Sequence, residues 1–245
     1  MVDSVDVVLL TKNSERVLAK CLDSLYRNVP VHRLIVIDGY STDGTLAIVE
    51  RYNLRYRNVE VIFDSGTRAS ARQKGILAVQ TEWFMFLDSD VVLCRDWFKK
   101  ILRSVDVDSQ VGAVWGIEVW STLKNLWLMK LFLAVTHKIF QVRGGTHDTL
   151  IRSSLVKDIQ IPQELHVFED AYIKNYIAKK GYRSVVCYNA FCIHFRPDYV
   201  WTFKGSLNLV TESLRLGNPH LVSKLILPYG LYTVYAVYQF FANRK

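Results

Sequence analysis

Residues 1–105 alternate between short apolar runs and amphipathic segments, and this alternation restricts the chain to few folds. Apolar runs of strand length occupy residues 5–10, 34–37, 59–63 and 83–87. Segments with apolar residues at helical spacing lie between them, at residues 15–26, at 67–80, and in a helix that follows residue 43 and ends at residue 52. Strands that alternate with helices indicate βαβ units. We therefore predict an α/β fold with a Rossmann-like, mostly parallel sheet flanked by helices.

The pattern is less regular after residue 110. Residues 111–119 and 183–188 have strand character, and residues 169–179 form a short amphipathic helix that ends at Gly181. Two further segments, 121–142 and 221–242, are long, apolar and aromatic. We predict an apolar helical segment at residues 221–245.

Asp88 and Asp90 directly follow the fourth apolar run, with Ser89 between them. Two carboxylates at the end of a strand can share one divalent cation with a diphosphate. Mg²⁺ and Mn²⁺ take one or two protein carboxylates and complete their shell with phosphate and water. Ligands of open α/β sheets bind at this end of the strands. The pair predicts a metal site, although D-x-D also occurs by chance in surface loops.

Polar residues follow the other predicted strands at the same edge of the sheet. Thr11 and Asn13 follow the first strand, Asp38 follows the second, and Arg72 lies on the helix before the fourth. Together with the two aspartates they supply acceptors for a base or ribose, a cation for phosphate and a metal ligand. The chain contains neither G-x-x-x-x-G-K-[ST] nor G-x-G-x-x-G, which disfavours an ATPase and a dinucleotide dehydrogenase.

Several segments resemble, in order, the motifs of the family 2 glycosyltransferases, which have the GT-A fold. These are VVLLTKN at 7–13, VIDGYSTDGT at 36–45, ARQKG at 71–75, FLDSD at 86–90, GG at 144–145 with LIR at 150–152, FED at 168–170 and GYR at 181–183. The resemblance covers about residues 5–195. It implies a nucleotide-sugar-binding half at 1–105 and an acceptor-side half at 106–220 of one GT-A domain.

The resemblance also implies a role for each matching residue. It implies that the donor is bound by Thr11, Asn13, Asp38, Arg72, Asp88 and Ser89, with Asp88 near the ribose. It implies that the metal, Mg²⁺ or Mn²⁺, is bound by Asp90 together with Asp88. Asp170 is implied to be the base of an inverting transfer from a UDP- or GDP-sugar. His194, past the last predicted strand, either completes the metal or phosphate shell or is structural.

Three departures from the family pattern leave base and acceptor recognition open. Gly39 stands where many members have a second acid, and Gln73 replaces the usual Asn. Residues 158–162 lack the common G-G-F-D-E form. The acceptor is expected to be a glycan, a polyprenyl or another lipid-linked molecule.

Physical chemistry supports a base at residue 169 or 170. A hydroxyl acceptor must lose its proton to a positioned base, and the start of a helix favours a carboxylate over its acid form. Neighbouring helical residues point about 100° apart, so only one of Glu169 and Asp170 can face the acceptor. Alternatively both only cap the helix. With a lipid phosphate as acceptor, Asp170 would orient it or exclude water.

The net charge of +8 fits an anionic partner, but no run of Lys and Arg resembles a nucleic-acid patch. Residues 225–242 carry no charge and are rich in aromatics, which suits a membrane interface. A membrane span and a buried helix are the alternatives for this segment. We predict a cytoplasmic protein that binds peripherally to the anionic cytoplasmic face of a membrane.

Two rival functions remain. A nucleotidyltransferase of related fold would carry a Gly-rich phosphate loop after the first strand, and residues 11–16 contain no glycine. A non-catalytic nucleotide- or glycan-binding scaffold is disfavoured by the presence of both Asp90 and Asp170. The sequence leaves open the sugar, the base, the acceptor and the oligomeric state.

Overall fold

The computed structural model describes residues 2–106, 108–121, 145–165 and 168–195. In these residues the strands are β1 Val5–Thr11, β2 Val31–Asp38, β3 Val59–Phe63, β4 Trp83–Asp88, β5 Val91–Leu93, β6 Val111–Trp120, β7 Asp148–Arg152 and β8 Arg183–His194. The helices are α1 Glu15–Asn28, α2 Thr45–Tyr56, α3 Arg68–Ala78, α4 Trp97–Asp106 and α5 Glu169–Lys179. The described strands form one sheet in the order β3-β2-β1-β4-β7-β6-β8-β5. The predicted α/β class is confirmed.

The first four strands are parallel, as the alternation of strands and helices predicts. Thr11 pairs with Asp38 across β1 and β2, and Leu10 pairs with Asp88 across β1 and β4. Because these strands run in one direction, their carboxyl ends meet at one edge of the sheet. Three of the predicted polar clusters therefore lie side by side.

Helices cover both faces of this sheet. Alternate residues of β1 point to opposite sides, so Val7 and Leu9 pack in the core that includes Leu18 and Leu22 of α1. Val8 packs in the second core, with Ile76 of α3. A Cβ on Gly75 would lie 2.3 Å from a Val8 methyl carbon, so glycine allows α3 to approach β1 closely.

The second half of the sheet contains antiparallel pairs that were not predicted. β7 runs antiparallel to β4, β6 runs antiparallel to β7, and β8 runs parallel to β6. β8 is longer than the predicted strand at 183–188 and reaches His194, which pairs with Val91 of β5. This pairing brings the end of β8 next to the D-x-D segment.

Both long apolar segments fall almost entirely outside the described residues. The segment 121–142 is described at Ser121 alone, and all of 196–245 lies outside, including the predicted C-terminal segment. The predicted domain boundaries therefore stay predictions. Among the helices that are described, none is long and apolar enough to cross a membrane.

Candidate functional site

A cleft of about 780 Å³ opens at the carboxyl edge of β1, β2 and β4. Six predicted donor or metal residues and His194 line it: Thr11, Asn13, Arg72, Asp88, Ser89, Asp90 and His194. Further basic side chains on its wall belong to Lys12, Arg16 and Arg68. The topology thus gathers most of the predicted site residues around one space large enough for a nucleotide.

Asp38 holds together the loops that follow β1 and β2. It is fully buried, and its carboxylate accepts hydrogen bonds from the Thr11 hydroxyl at 2.7 Å, the Ser41 amide at 2.7 Å and the Ser41 hydroxyl at 2.6 Å. These three hydrogen bonds satisfy the buried carboxylate, which would otherwise be costly to remove from water. Asp38 therefore supports the loops at the edge of the cleft without lining it, and its direct contact with a base or ribose stays a prediction.

Asn13 joins the same two loops. Its backbone φ is 50°, a left-handed conformation that asparagine tolerates better than most residues. Its backbone N–H donates to the Ser41 hydroxyl at 2.9 Å, and its side-chain oxygen accepts from the backbone N–H of Thr42 at 2.9 Å. The positive φ and the side-chain oxygen bond together favour asparagine at this second position after β1.

Arg72 is buried and binds Asp88 at 2.9 Å between Nη2 and Oδ1. Its guanidinium also lies over the ring of Phe86, 4.7 Å from the centroid, and its Nε is 3.5 Å from Oε1 of Glu169. Burial acts to raise the pKa of Asp88, but the charges of Arg72, His194 and His147 outweigh it and hold that pKa below its usual value. Asp88 is therefore ionised at neutral pH.

Asp88, Asp90 and His194 form the candidate metal centre. One ligand atom from each lies within 4.8 Å of the other two. Nε2 of His194 is 3.0 Å from Oδ1 of Asp90, and both aspartates are about one-third exposed to the cleft, at 30% and 33%. Two carboxylates and one imidazole facing a solvent-filled space fit Mg²⁺ or Mn²⁺, which keep positions for phosphate and water.

Two contacts support this centre from outside. The Ser89 hydroxyl lies 2.8 Å from the Ser14 hydroxyl, which ties the D-x-D segment to the start of α1. Nδ1 of His194 lies 2.6 Å from Oε1 of Glu118, a buried residue of β6. Sequence reasoning passed over Glu118, although a lone acid within a ten-residue apolar strand is a signal for a buried polar role.

A second group, His147, Asp148 and Cys192, also brings potential metal ligands within 4.8 Å, but it is completely buried. Asp148 accepts from Nε1 of Trp97 at 2.8 Å and pairs with Nδ1 of His147 at 2.6 Å. Burial and the surrounding carboxylates raise the pKa of Cys192 well above its usual value. This group fastens β7 to α4.

Helix α5 begins with Glu169 and Asp170, the two acids considered for the catalytic base. Phe168 precedes it with a φ of 66° and a fully buried ring, a strained conformation for an aromatic residue. Glu169 turns inward toward Arg72, and burial together with the charge of Asp170 raises its pKa. Asp170 is more exposed, and its Oδ1 accepts from the Ala171 amide at 2.8 Å. The two acids thus face different surroundings, as helical geometry predicts.

Asp170 is not among the described residues that line the 780 Å³ cleft. Residues 122–144, 166–167 and 196–245, which include much of the predicted acceptor side, lie outside the described part of the chain. The position of an acceptor relative to Asp170 therefore stays a prediction.

Comparison with known proteins identifies one family, and the structural neighbours agree with that family. The model described as "Glycosyl transferase family 2" matches residues 6–152. A poly(ribitol-phosphate) beta-glucosyltransferase of Bacillus spizizenii is 35% identical over 92 residues, which is 35% of this chain and 14% of that protein. The chain therefore spans only a small part of the length of this curated relative.

Solved structures that share the fold include the following two. Staphylococcus aureus TarS 1–349 in complex with UDP-GlcNAc has a TM-score of 0.59 and 20% identity, covering 79% of this chain and 59% of that one. The mannosyltransferase PcManGT from Pyrobaculum calidifontis, in complex with GDP-Man and Mn²⁺, has a TM-score of 0.65 and 16% identity. The match covers 98% of this chain and 79% of PcManGT. These likenesses establish the GT-A fold expected from the motifs.

Proposed function

Because the chain belongs to glycosyl transferase family 2, we propose that it transfers a sugar from a nucleotide-diphospho-sugar to an acceptor, with inversion at the anomeric carbon. The donor would bind in the cleft at the carboxyl edge of β1, β2 and β4. A divalent cation would be held by Asp88, Asp90 and His194. The observation that carries the proposal is the convergence of these three ligands on one wall of that cleft.

The chemistry of the three ligands fits the cation that this reaction uses. Mg²⁺ or Mn²⁺, when bound, supplies positive charge to the diphosphate as it leaves. Two structural neighbours carry Mn²⁺ beside a nucleotide or nucleotide-sugar, as their descriptions state, which supports a divalent ion here. We propose Mn²⁺ rather than Mg²⁺, because Mg²⁺ is a hard cation that takes oxygen ligands and this centre includes an imidazole nitrogen.

The chain's own residues would bind and orient the donor. Asp38 and Asn13 hold the loops that form the base and ribose side of the cleft. Lys12 and Arg68 offer positive charge along its wall, and we assign them to the diphosphate. The buried Arg72 already binds Asp88 and approaches Glu169, so it would act chiefly by fixing the Asp88 carboxylate.

Asp170 would take the proton from the acceptor hydroxyl. Its neighbour Glu169 is buried and directed to Arg72, which leaves Asp170 as the more accessible acid at the start of α5. A carboxylate within reach of the acceptor hydroxyl can serve as its general base. We propose a hydroxyl-bearing acceptor, either a glycan or a lipid-linked molecule, used at the cytoplasmic face of a membrane that residues 221–245 contact.

Thermal unfolding with added nucleotides tests the donor site. UDP, GDP and their sugars should raise the Tm, and Mn²⁺ should enlarge the shift. A ligand that binds only the folded state at 100 times its Kd adds about 2.7 kcal/mol. Asp90→Asn should remove the Mn²⁺-dependent part. If no nucleotide at millimolar concentration shifts the Tm with Mn²⁺ present, the donor proposal is wrong; nucleotide binding without turnover of any donor would instead support the scaffold alternative.

A further inference from the structure

Glu118 is a buried acid in a strand that is otherwise almost entirely apolar. Strand β6 reads VGAVWGIEVW, and the Glu118 side chain is only 3% exposed. A carboxylate removed from water is unfavourable unless a charged or hydrogen-bonding partner compensates it. The partner of this carboxylate therefore indicates why the strand contains it.

The geometry directs Glu118 at His194. Nδ1 of His194 is 2.6 Å from Oε1 of Glu118, and Nε2 on the other side of the ring is 3.0 Å from Oδ1 of Asp90. The imidazole thus lies between a buried carboxylate behind it and a cleft-facing carboxylate in front.

The strand register produces this arrangement. β6 and β8 are parallel, with Glu118 opposite Cys192 and Trp120 opposite His194. Residues two apart on a strand share a face, so Glu118 and His194 are diagonal neighbours on one face of the sheet. A side chain of the length of glutamate reaches across this diagonal.

We propose that Glu118 is a positioning residue for the metal centre. It would accept the Nδ1–H of His194, which would fix the ring orientation and leave Nε2 available to a cation held together with Asp88 and Asp90. Histidine ligands of metals commonly donate their second N–H to a carboxylate in this way, which sets the tautomer and strengthens the ligand. This inference rests on the metal role proposed above for His194.

The buried pair His147–Asp148 provides a matched control. Its Nδ1–Oδ1 distance is also 2.6 Å, and both residues are buried. Asp148, however, also accepts from Trp97 and from the Gly116 amide, as a structural junction does. Asp148→Asn should therefore lower the Tm and weaken Mn²⁺ binding less than Glu118→Leu does, since it reaches Asp88 only through the charge of His147.

The test measures Mn²⁺ affinity of the full chain by the electron paramagnetic resonance signal of free Mn²⁺. Glu118→Leu should weaken binding about 10- to 100-fold, the usual cost of losing such a partner. Glu118→Gln should recover part of this loss, because its amide oxygen still accepts from Nδ1. In a His194→Ala background, Glu118→Leu should cause no further weakening, since the residue acts through His194.

The outcomes separate the two proposals. If His194→Ala leaves Mn²⁺ affinity unchanged, the metal role of His194 fails and the positioning role fails with it. If His194→Ala weakens Mn²⁺ binding and Glu118→Leu does not, only the role of Glu118 is wrong. The same holds if the double variant loses as much binding free energy as the two single variants combined.

A measurement on the unaltered protein keeps the inference testable if the Glu118 variants do not fold. With the diamagnetic ion Mg²⁺ bound, ¹⁵N spectra of labelled histidine rings should show His194 protonated at Nδ1 and unprotonated at Nε2. A proton on Nε2 in the Mg²⁺-bound protein would overturn the assignment.

Discussion

Arg72 and Asp88 form an ion pair of 2.9 Å that connects α3 to the last residue of β4. The arginine is almost completely buried, and it reaches Glu169 at the start of α5 from the same position. One guanidinium therefore fixes a candidate metal ligand and contacts the neighbour of the candidate base.

Arg72→Met should destabilise the fold and impair donor binding together. Removing one partner of a buried ion pair leaves the other charge uncompensated, and because Asp88 is partly exposed we expect the low end of the usual cost, about 3 kcal/mol. Urea unfolding measures this loss. Arg55→Met, on the exposed face of α2, serves as the control and should stay within about 0.5 kcal/mol of wild type. Equal stability of the two variants would contradict the structural role of Arg72.

Asp90→Asn should abolish Mn²⁺-dependent nucleotide binding with little loss of stability. The side chain is 33% exposed at the cleft, so its replacement disturbs little packing. Calorimetric titration of nucleoside diphosphate with and without Mn²⁺ measures the effect. Asp96→Asn is the matched control, since it removes a carboxylate six residues along the chain that does not line the cleft, and asparagine tolerates the positive φ of 57° there. Undiminished Mn²⁺-dependent binding by Asp90→Asn would exclude the metal role.

Asp170→Asn should retain donor binding but lower turnover with a hydroxyl acceptor by about 10²- to 10⁴-fold, the usual contribution of a general base. Release of nucleoside diphosphate from the donor measures turnover, and calorimetry measures donor affinity. Glu164→Gln, an exposed acid just before α5, should leave both unchanged. Near wild-type turnover would refute the base assignment, whereas weaker donor affinity alone would make Asp170 a binding residue.

Asp6 should contribute to acid unfolding. It is fully buried at the start of β1, and burial acts to raise its pKa, but Arg33 at 2.8 Å, the Gln80 amide and His32 lower it below the usual value. A carboxyl with a lower pKa in the folded state stabilises above its unfolded pKa. This stability is lost as the pH falls through the folded pKa, below about pH 4.

The free energy of unfolding in urea, measured between pH 7 and pH 3, checks this assignment. Asp6→Asn should be less stable than wild type at pH 7, and the difference should shrink as the pH falls. A difference that is constant with pH would show that the ionisation of Asp6 does not contribute.

Removal of residues 225–245 should release the protein from anionic liposomes and leave nucleotide binding intact. The donor motifs lie before residue 91, whereas this apolar aromatic segment follows the last family motif. An interfacial segment binds through buried apolar area and through attraction of its bases to anionic lipid, so salt should weaken binding in part. Co-sedimentation decides: if the soluble truncation pellets as well as the full chain, segment 121–142 is the better candidate.

The parallel half of the fold was predictable because its signals are local. Each of the strands β1 to β4 is an apolar run beside an amphipathic helix, and βαβ units leave little choice of arrangement. Asp88 and Asp90 could be assigned to the cleft edge for the same reason. Nothing comparable marks β7, a five-residue strand whose partner β4 lies about sixty residues earlier in the chain.

The positions of the candidate site residues were easier to predict than their contacts. Asp38 and Arg72 were expected to bind the donor, and the structure gives both of them protein partners, Thr11 and Ser41 for one and Asp88 for the other. Residue type reveals that a carboxylate or guanidinium is needed at a position. Which donor or acceptor it meets depends on side-chain geometry that spacing does not encode. The pairing of His194 with Glu118 required the register of β6 and β8.

The D-x-D segment links two strands that lie far apart in the sheet order. β4 ends at Asp88 and β5 begins at Val91, yet β7, β6 and β8 lie between them. Four strand spacings in a flat sheet would span about 19 Å, whereas the three Cα–Cα steps from Asp88 to Val91 span at most about 11 Å. The sheet must therefore curve strongly between β4 and β5. A cation bound by Asp88, Asp90 and His194 would connect the end of β4 to the end of β8 across this curved part. Metal occupancy should consequently slow amide exchange along β5 and β8 and not only at the three ligands themselves.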